Sequence, residues 1–237
     1  MTPIVWALLA AAGNLVGAIV VVRHRPEQVR LLETFIAIGA GFMLTVALGE
    51  VVPEAFARDA REAAIYLVAG YFAVHLAQHV LTPHFHFGEE THAVSPVASV
   101  SALLGLLLHT FFDGVAIASG FSVSHTLGVL LFTAVFLHKL PEGLAMASLM
   151  LASGLGRARA IGAAAALGVA TLVGVLATDL VAPLRDHGLA LAGGVTIYVA
   201  ASNLVPEIQS RRGWRMPLSF FGGAAAFFAA RALLGGG

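Results

Sequence analysis

Apolar runs of about 18 to 26 residues alternate with short polar breaks along the whole chain, and they lack the period-two alternation of a lipid-facing strand. A helix rises 1.5 Å per residue, so runs of this length match the roughly 30 Å of hydrocarbon that a membrane helix crosses. Eight helices are predicted, over residues 4–22, 34–57, 64–82, 96–121, 126–151, 160–180, 188–207 and 217–234. The expected fold class is an all-α polytopic membrane protein in which residues 1–237 form a single transmembrane domain.

The breaks carry most of the arginine, and this sets an expected orientation. With the N-terminus outside, Arg23, Arg25, Arg30, Arg157, Arg159, Arg211, Arg212 and Arg215 face the cytoplasm, against Arg58, Arg61, Arg185 and Arg231 outside. The positive-inside bias therefore puts both termini outside. The first run has no basic leader and exceeds the apolar core of a signal peptide, so it is expected to be retained. The chain is 59% hydrophobic and 11% charged, well below the roughly 25% charged residues of a soluble domain. A zero formal net charge argues against a nucleic-acid partner. Without cysteine, any transition metal must be held by imidazole and oxygen.

Two internal repeats organise the runs. "GFMLTVALGEVVPE" (Gly41–Glu54) aligns with "GVTIYVAASNLVPE" (Gly194–Glu207), matching Glu50 with Asn203 and Glu54 with Glu207. The two spans run in opposite directions, so the repeat is inverted. The second repeat pairs "HTFFDGVAIAS" (His109–Ser119) with "HKLPEGLAMAS" (His138–Ser148), giving His-x-x-x-acid-Gly in the middle of two antiparallel neighbours. The plan is three helices, a pair, and three more. Pro53, Pro141 and Pro206 cannot donate to the carbonyls of Gly49, Leu137 and Ser202, which implies local irregularities in those helices.

Residues four apart share a helical face, so His109 with Asp113 and His138 with Glu142 each present an imidazole beside a carboxylate. Facing one another, they offer two nitrogens and two oxygens, a first shell for a borderline cation such as Zn²⁺. An Asp or Lys at the centre of a membrane helix costs roughly 2.5 to 3.5 kcal/mol on insertion scales, so Asp113, Lys139 and Glu142 require an ion, water or one another. The competing reading is a polar network that ties helices together. Lys139 is the only lysine of the chain.

In these residues the sequence resembles the ZIP family of divalent-metal transporters, in a prokaryotic-like form. "HTFFDG" is similar to that family's fourth-helix motif, His-Asn-x-x-Asp/Glu-Gly, and "HKLPEG" to its fifth-helix His-x-x-Pro-x-Gly region. The resemblance covers essentially the whole chain. It implies that His109, Asp113, His138 and Glu142 bind the transported metal, with Met43 of "GAGFM" as a further candidate whose other reading is a core methionine. It also implies a homodimer and one group of helices sliding against another. Two departures stand out: Thr110 and Lys139 occupy positions where binuclear members carry polar or acidic ligands. Lys139 is expected either to replace the second metal, leaving one metal per site, or to exchange a proton during transport.

The remaining polar residues have two readings each. Residues 83–95 form a His-containing cytoplasmic loop, and His75, His79, His84, His86 and His92 either bind metal loosely or are incidental to a solvated segment. Glu50, Glu54, Asn203 and Glu207 either line the approaches to the centre or sit in headgroups. The expected function is import of Zn²⁺, or of Cd²⁺, Fe²⁺ or Mn²⁺, to the cytoplasm by alternating access, with no catalytic cofactor. The partners are the cation, the lipid bilayer of a plasma or inner membrane, and a second copy. The alternative is an intramembrane zinc-dependent hydrolase with Glu142 or Asp113 as base.

Overall fold

Burying a backbone in lipid leaves no water for its amides, so every N–H and C=O must pair within the segment, and long apolar runs become helices. The computed structural model describes residues 2–23, 29–78, 96–209 and 213–234, and among these there is no strand. Eight helices follow in order. They are α1 (Pro3–Arg23), α2 (Val29–Val46, continuing through a π-helical turn at Ala47–Val51 into Val52–Arg58), α3 (Ala60–Leu76) and α4 (Pro96–Val123). After them come α5 (His125–Ala152), α6 (Arg157–Leu180), α7 (Ala182–Tyr198, a π-helical stretch Val199–Leu204, then Val205–Gln209) and α8 (Arg215–Leu233). The loop 83–95 and its His84, His86 and His92, together with His79, lie outside the described residues.

Six of the eight helices are long and apolar enough to cross a membrane on their own composition. The other two, α3 and α7, have 17-residue α-helical stretches that open on charged pairs, Arg61 and Glu62 in one and Arg185 and Asp186 in the other. The helices therefore begin earlier than the apolar runs do: α7 starts at Ala182 rather than at residue 188, with Pro183 in its first turn, where a missing N–H costs nothing. Short caps set the corners. The Asp59 carboxylate accepts from the N–H groups of Arg61 and Glu62, turning α2 into α3. The Ser124 hydroxyl accepts from the Leu127 N–H and starts α5 one residue after α4 ends.

The inverted repeat is written into the backbone. In α2 the N–H of Val52 bonds the carbonyl of Ala47, and at the matching place in α7 the N–H of Val205 bonds that of Ala200. Both are i→i+5 bonds. The carbonyls that Pro53 and Pro206 cannot bond, those of Gly49 and Ser202, fall inside these turns, so each helix absorbs its proline by widening one turn.

Packing divides the helices into groups. α1, α4, α5 and α6 form one four-helix unit, while α2 pairs with α8 and α3 with α7. Glycines lock these groups internally by letting backbones touch. A Cβ on Gly41 would run into the Phe220 carbonyl and one on Gly223 into that of Ile38, joining α2 to α8 in both directions. Gly70 and Gly194 do the same for α3 and α7, Gly114 and Gly174 for α4 and α6, and Gly17 and Gly143 for α1 and α5. Between groups, a Cβ on Gly39 of α2 would stand an ordinary 3.6 Å from the backbone and Cβ of Leu137 of α5, and Gly188 of α7 faces the side chains of Ser119 and Val115.

Candidate metal centre

Ser124 marks the turn between α4 and α5, and His109 lies 15 residues before it while His138 lies 14 after it. Two antiparallel helices of equal rise therefore bring the two histidines to one depth. The i, i+4 spacing adds Asp113 beside the first and Glu142 beside the second. One ligand atom from each of the four residues lies within 4.8 Å of the others, and all four residues are buried.

The separations resemble the edges of a coordination polyhedron. Asp113 Oδ2 is 3.4 Å from His109 Nε2 and 3.3 Å from His138 Nε2, and Glu142 Oε2 is 3.9 and 3.8 Å from the same nitrogens. Tetrahedral bonds of about 2.0–2.1 Å set neighbouring ligand atoms about 3.3 Å apart. The residues present therefore fit a small divalent cation once the widest separation, up to 4.8 Å, closes by about 1.5 Å. His138 is oriented from behind: its Nδ1 donates to the Ala134 carbonyl at 2.9 Å, and its Nε2 lies 3.3 Å from Asp113 Oδ2. Two buried carboxylates this close together call for positive charge between or beside them.

Lys139 supplies one such charge. It is fully buried, and its Nζ lies 2.6 Å from Asp113 Oδ2 and 2.9 Å from Glu142 Oε2. The sequence points to Glu142 as its partner three residues on; the equally close Asp113 comes from the other helix, and spacing along one helix does not reveal it. Thr110 holds the far side. Its hydroxyl is 2.8 Å from Glu142 Oε1 and 2.7 Å from the Leu106 carbonyl, so a single proton serves two acceptors and Glu142 Oε2 is left for the centre.

The other sequence candidates are distributed elsewhere. Met43 is buried in an apolar cluster with Phe42, Val46 and Leu137. Glu50 is ion-paired with Arg231 of α8 at 2.5 Å, and Glu54 with Arg58 at 3.3 Å near the end of α2. Asn203 is half-buried within the π-helical stretch of α7, and the Glu207 side chain lies outside the described residues. His75 packs edge-on against Phe72 and Tyr198. Asn14 of α1 is a further polar residue, fully buried with both amide atoms lacking a hydrogen-bond partner among the described residues; its one signal in the sequence is a polar residue in "AAAGNLVGA".

Comparison with known proteins points the same way. Residues 74–230 match the family model described as ZIP zinc transporter. The chain is 27% identical over 157 residues to "Zinc transporter ZIP9-A" of Xenopus laevis, covering 61% of this chain and 52% of that protein. The match to "Zinc transporter ZIP9" of Micropogonias undulatus is likewise 27% identical, over 61% of this chain and 51% of that protein. To "Zinc transporter ZIP4" of Mus musculus it is 32% identical over 121 residues, 49% of this chain and 18% of that protein. The chain thus spans about half the length of the ZIP9 relatives.

Proposed function

The chain belongs to the ZIP zinc transporter family, and we propose that it carries a divalent transition-metal cation across a membrane through His109, Asp113, His138 and Glu142. The observation that carries this reading is the convergence of two imidazole nitrogens and two carboxylate oxygens, all buried, midway along α4 and α5. Zn²⁺ is the cation best suited to an N₂O₂ set without thiolate. Mixed imidazole and carboxylate ligation also binds without trapping, as transport requires.

In this proposal Lys139 stands where a second cation would otherwise neutralise the carboxylates, and the centre holds one metal. The ammonium uses Asp113 Oδ2 and Glu142 Oε2, two of the four ligand atoms. Cation entry therefore displaces Lys139 from at least one oxygen. Thr110 keeps Glu142 in place while this happens. Met43, Glu50, Glu54, Asn203 and Glu207 remain candidates for the route, with Glu50 and Glu54 reaching a cation only after leaving Arg231 and Arg58. His75, His79, His84, His86 and His92 are proposed to collect ions at the cytoplasmic end.

Movement follows from the packing. The unit α1, α4, α5 and α6 carries every residue of the centre and is locked internally by glycines at backbone contact, closer than the 3.6 Å that a Cβ on Gly39 would keep from Leu137 across the groups. It is the natural moving body, sliding so that the centre faces outside and then the cytoplasm. Import, both termini outside, a homodimer and a prokaryotic plasma membrane complete the proposal. A hydrolase would need one carboxylate free to act on water, whereas Asp113 and Glu142 both belong to the proposed four-ligand set.

Reconstituted full-length protein tests the function directly. Vesicles bearing it should accumulate Zn²⁺ or one of Cd²⁺, Mn²⁺ and Fe²⁺ faster than empty vesicles, and the His109→Ala protein should not. Failure to move any of the four, with the protein correctly inserted, refutes transport.

A further inference from the structure

α1 is built almost wholly from small and aliphatic side chains, and Asn14 is its one amide. The residue is 0% exposed, and among the described residues neither Oδ1 nor Nδ2 has a hydrogen-bond partner. Buried amides are ordinarily satisfied, so an orphaned pair of this kind implies a ligand, an ion or water.

The register of α1 locates it. Ala7 shares a buried cluster with Ala118 of α4 and Val175 of α6, Ala11 touches Gly168 of α6, and Ala18 clusters with Leu106 of α4 and Leu167 of α6. Asn14 continues that stripe at the three- and four-residue spacing of one helix face, so it is directed between α4 and α6 rather than to lipid. Interpolating between the Ala7 and Ala18 levels puts it opposite Thr110. Toward α5, a Cβ on Gly13 would come within 3.1 Å of the Lys139 Cβ, and a Cβ on Gly143 would strike the Asn14 backbone. The amide therefore sits beside the turn of α5 that bears Glu142. A second orphan flanks the same cluster: His109 Nδ1 is buried without a partner while its Nε2 faces the carboxylates.

We infer that Asn14 is a specificity-determining residue of the central site, adding an amide oxygen to the shell of the bound cation, either directly or through one water. The inference rests on the proposed role of His109, Asp113, His138 and Glu142. An extra neutral oxygen raises the coordination number above four. That favours oxygen-preferring cations such as Mn²⁺ relative to tetrahedral Zn²⁺.

Equilibrium binding of Zn²⁺ and Mn²⁺ to the purified full chain tests this, using Asn14→Leu, which keeps the volume and removes the polar atoms, and Asn14→Ala, which matches its neighbours. Both variants should lose about tenfold in Mn²⁺ affinity while Zn²⁺ changes by less than about threefold. With Co²⁺ as a spectroscopic probe, the visible bands should intensify as the site falls toward four-coordination. Unaltered Mn²⁺-to-Zn²⁺ ratios and Co²⁺ spectra in whichever variants fold, with binding lost in a His109→Ala control, overturn the assignment of Asn14 alone. Binding that survives His109→Ala overturns the central site and Asn14 with it.

Discussion

Replacing Lys139 by Met keeps the stem and removes the charge, and two opposite effects should follow. A divalent cation bound to Asp113 Oδ2 and Glu142 Oε2 would lie about 4 Å from an ammonium on the same oxygens, where a unit and a double charge repel by about 8 kcal/mol at an effective dielectric of about 20. The flexible stem lets the ammonium retreat. Even a third of that repulsion, about 2.7 kcal/mol, corresponds to about a hundredfold in Kd. Lys139→Met should accordingly bind Zn²⁺ about a hundredfold more tightly and allow a second ion to enter. Without metal the same variant leaves two buried carboxylates unpaired, a loss of about 3 to 5 kcal/mol in stability. Calorimetric Zn²⁺ titration of detergent-solubilised protein, with thermal unfolding measured with and without metal, reads both signs. Unchanged affinity and stoichiometry would remove the idea that Lys139 stands in for a cation.

His109→Ala and His138→Ala should each weaken Zn²⁺ binding by about a hundredfold or more while the protein still inserts, because each deletes one of four ligands; equilibrium dialysis after membrane extraction checks both halves. Thr110→Val, nearly isosteric, should weaken the hold on Glu142 by about 1.5 to 3 kcal/mol, the value of a hydrogen bond to a charged group. Thr110→Ser should restore it, and the comparison is read in metal affinity. Gly143→Ala forces a Cβ into the Asn14 backbone and should lower stability by about 1 to 3 kcal/mol, as overpacking does. Gly162→Ala, with open space at its Cβ, serves as the control in the same thermal unfolding series.

Much of this could be read before any coordinates. Run length alone identified the helices, because lipid forces long apolar segments into one conformation. The duplicated His-x-x-x-acid pattern identified four residues that do converge, because a one-residue turn at Ser124 puts both copies at one depth. Relations between helices were less accessible. Lys139 reaches Asp113 across the α4–α5 contact, and Asn14 owes its place to the register of α1 against three neighbours. The early start of α7 was hidden because Arg185 and Asp186 interrupt the apolar signal without interrupting the helix. The repeat around Pro53 and Pro206 was visible as letters, but its widened turns depend on which amide reaches which carbonyl.

Those widened turns have a geometric cost and use. One residue extra in a helix advances everything beyond it by about 100°, so Glu54 and Glu207 begin on a different meridian of their helices from the one an unbroken spiral would assign. Excising a single residue such as Leu48 would swing the C-terminal end of α2 back through that angle and carry Glu54 off its present side, while α7 kept its own offset. The two halves would then no longer match in the widened turn that their repeat shares.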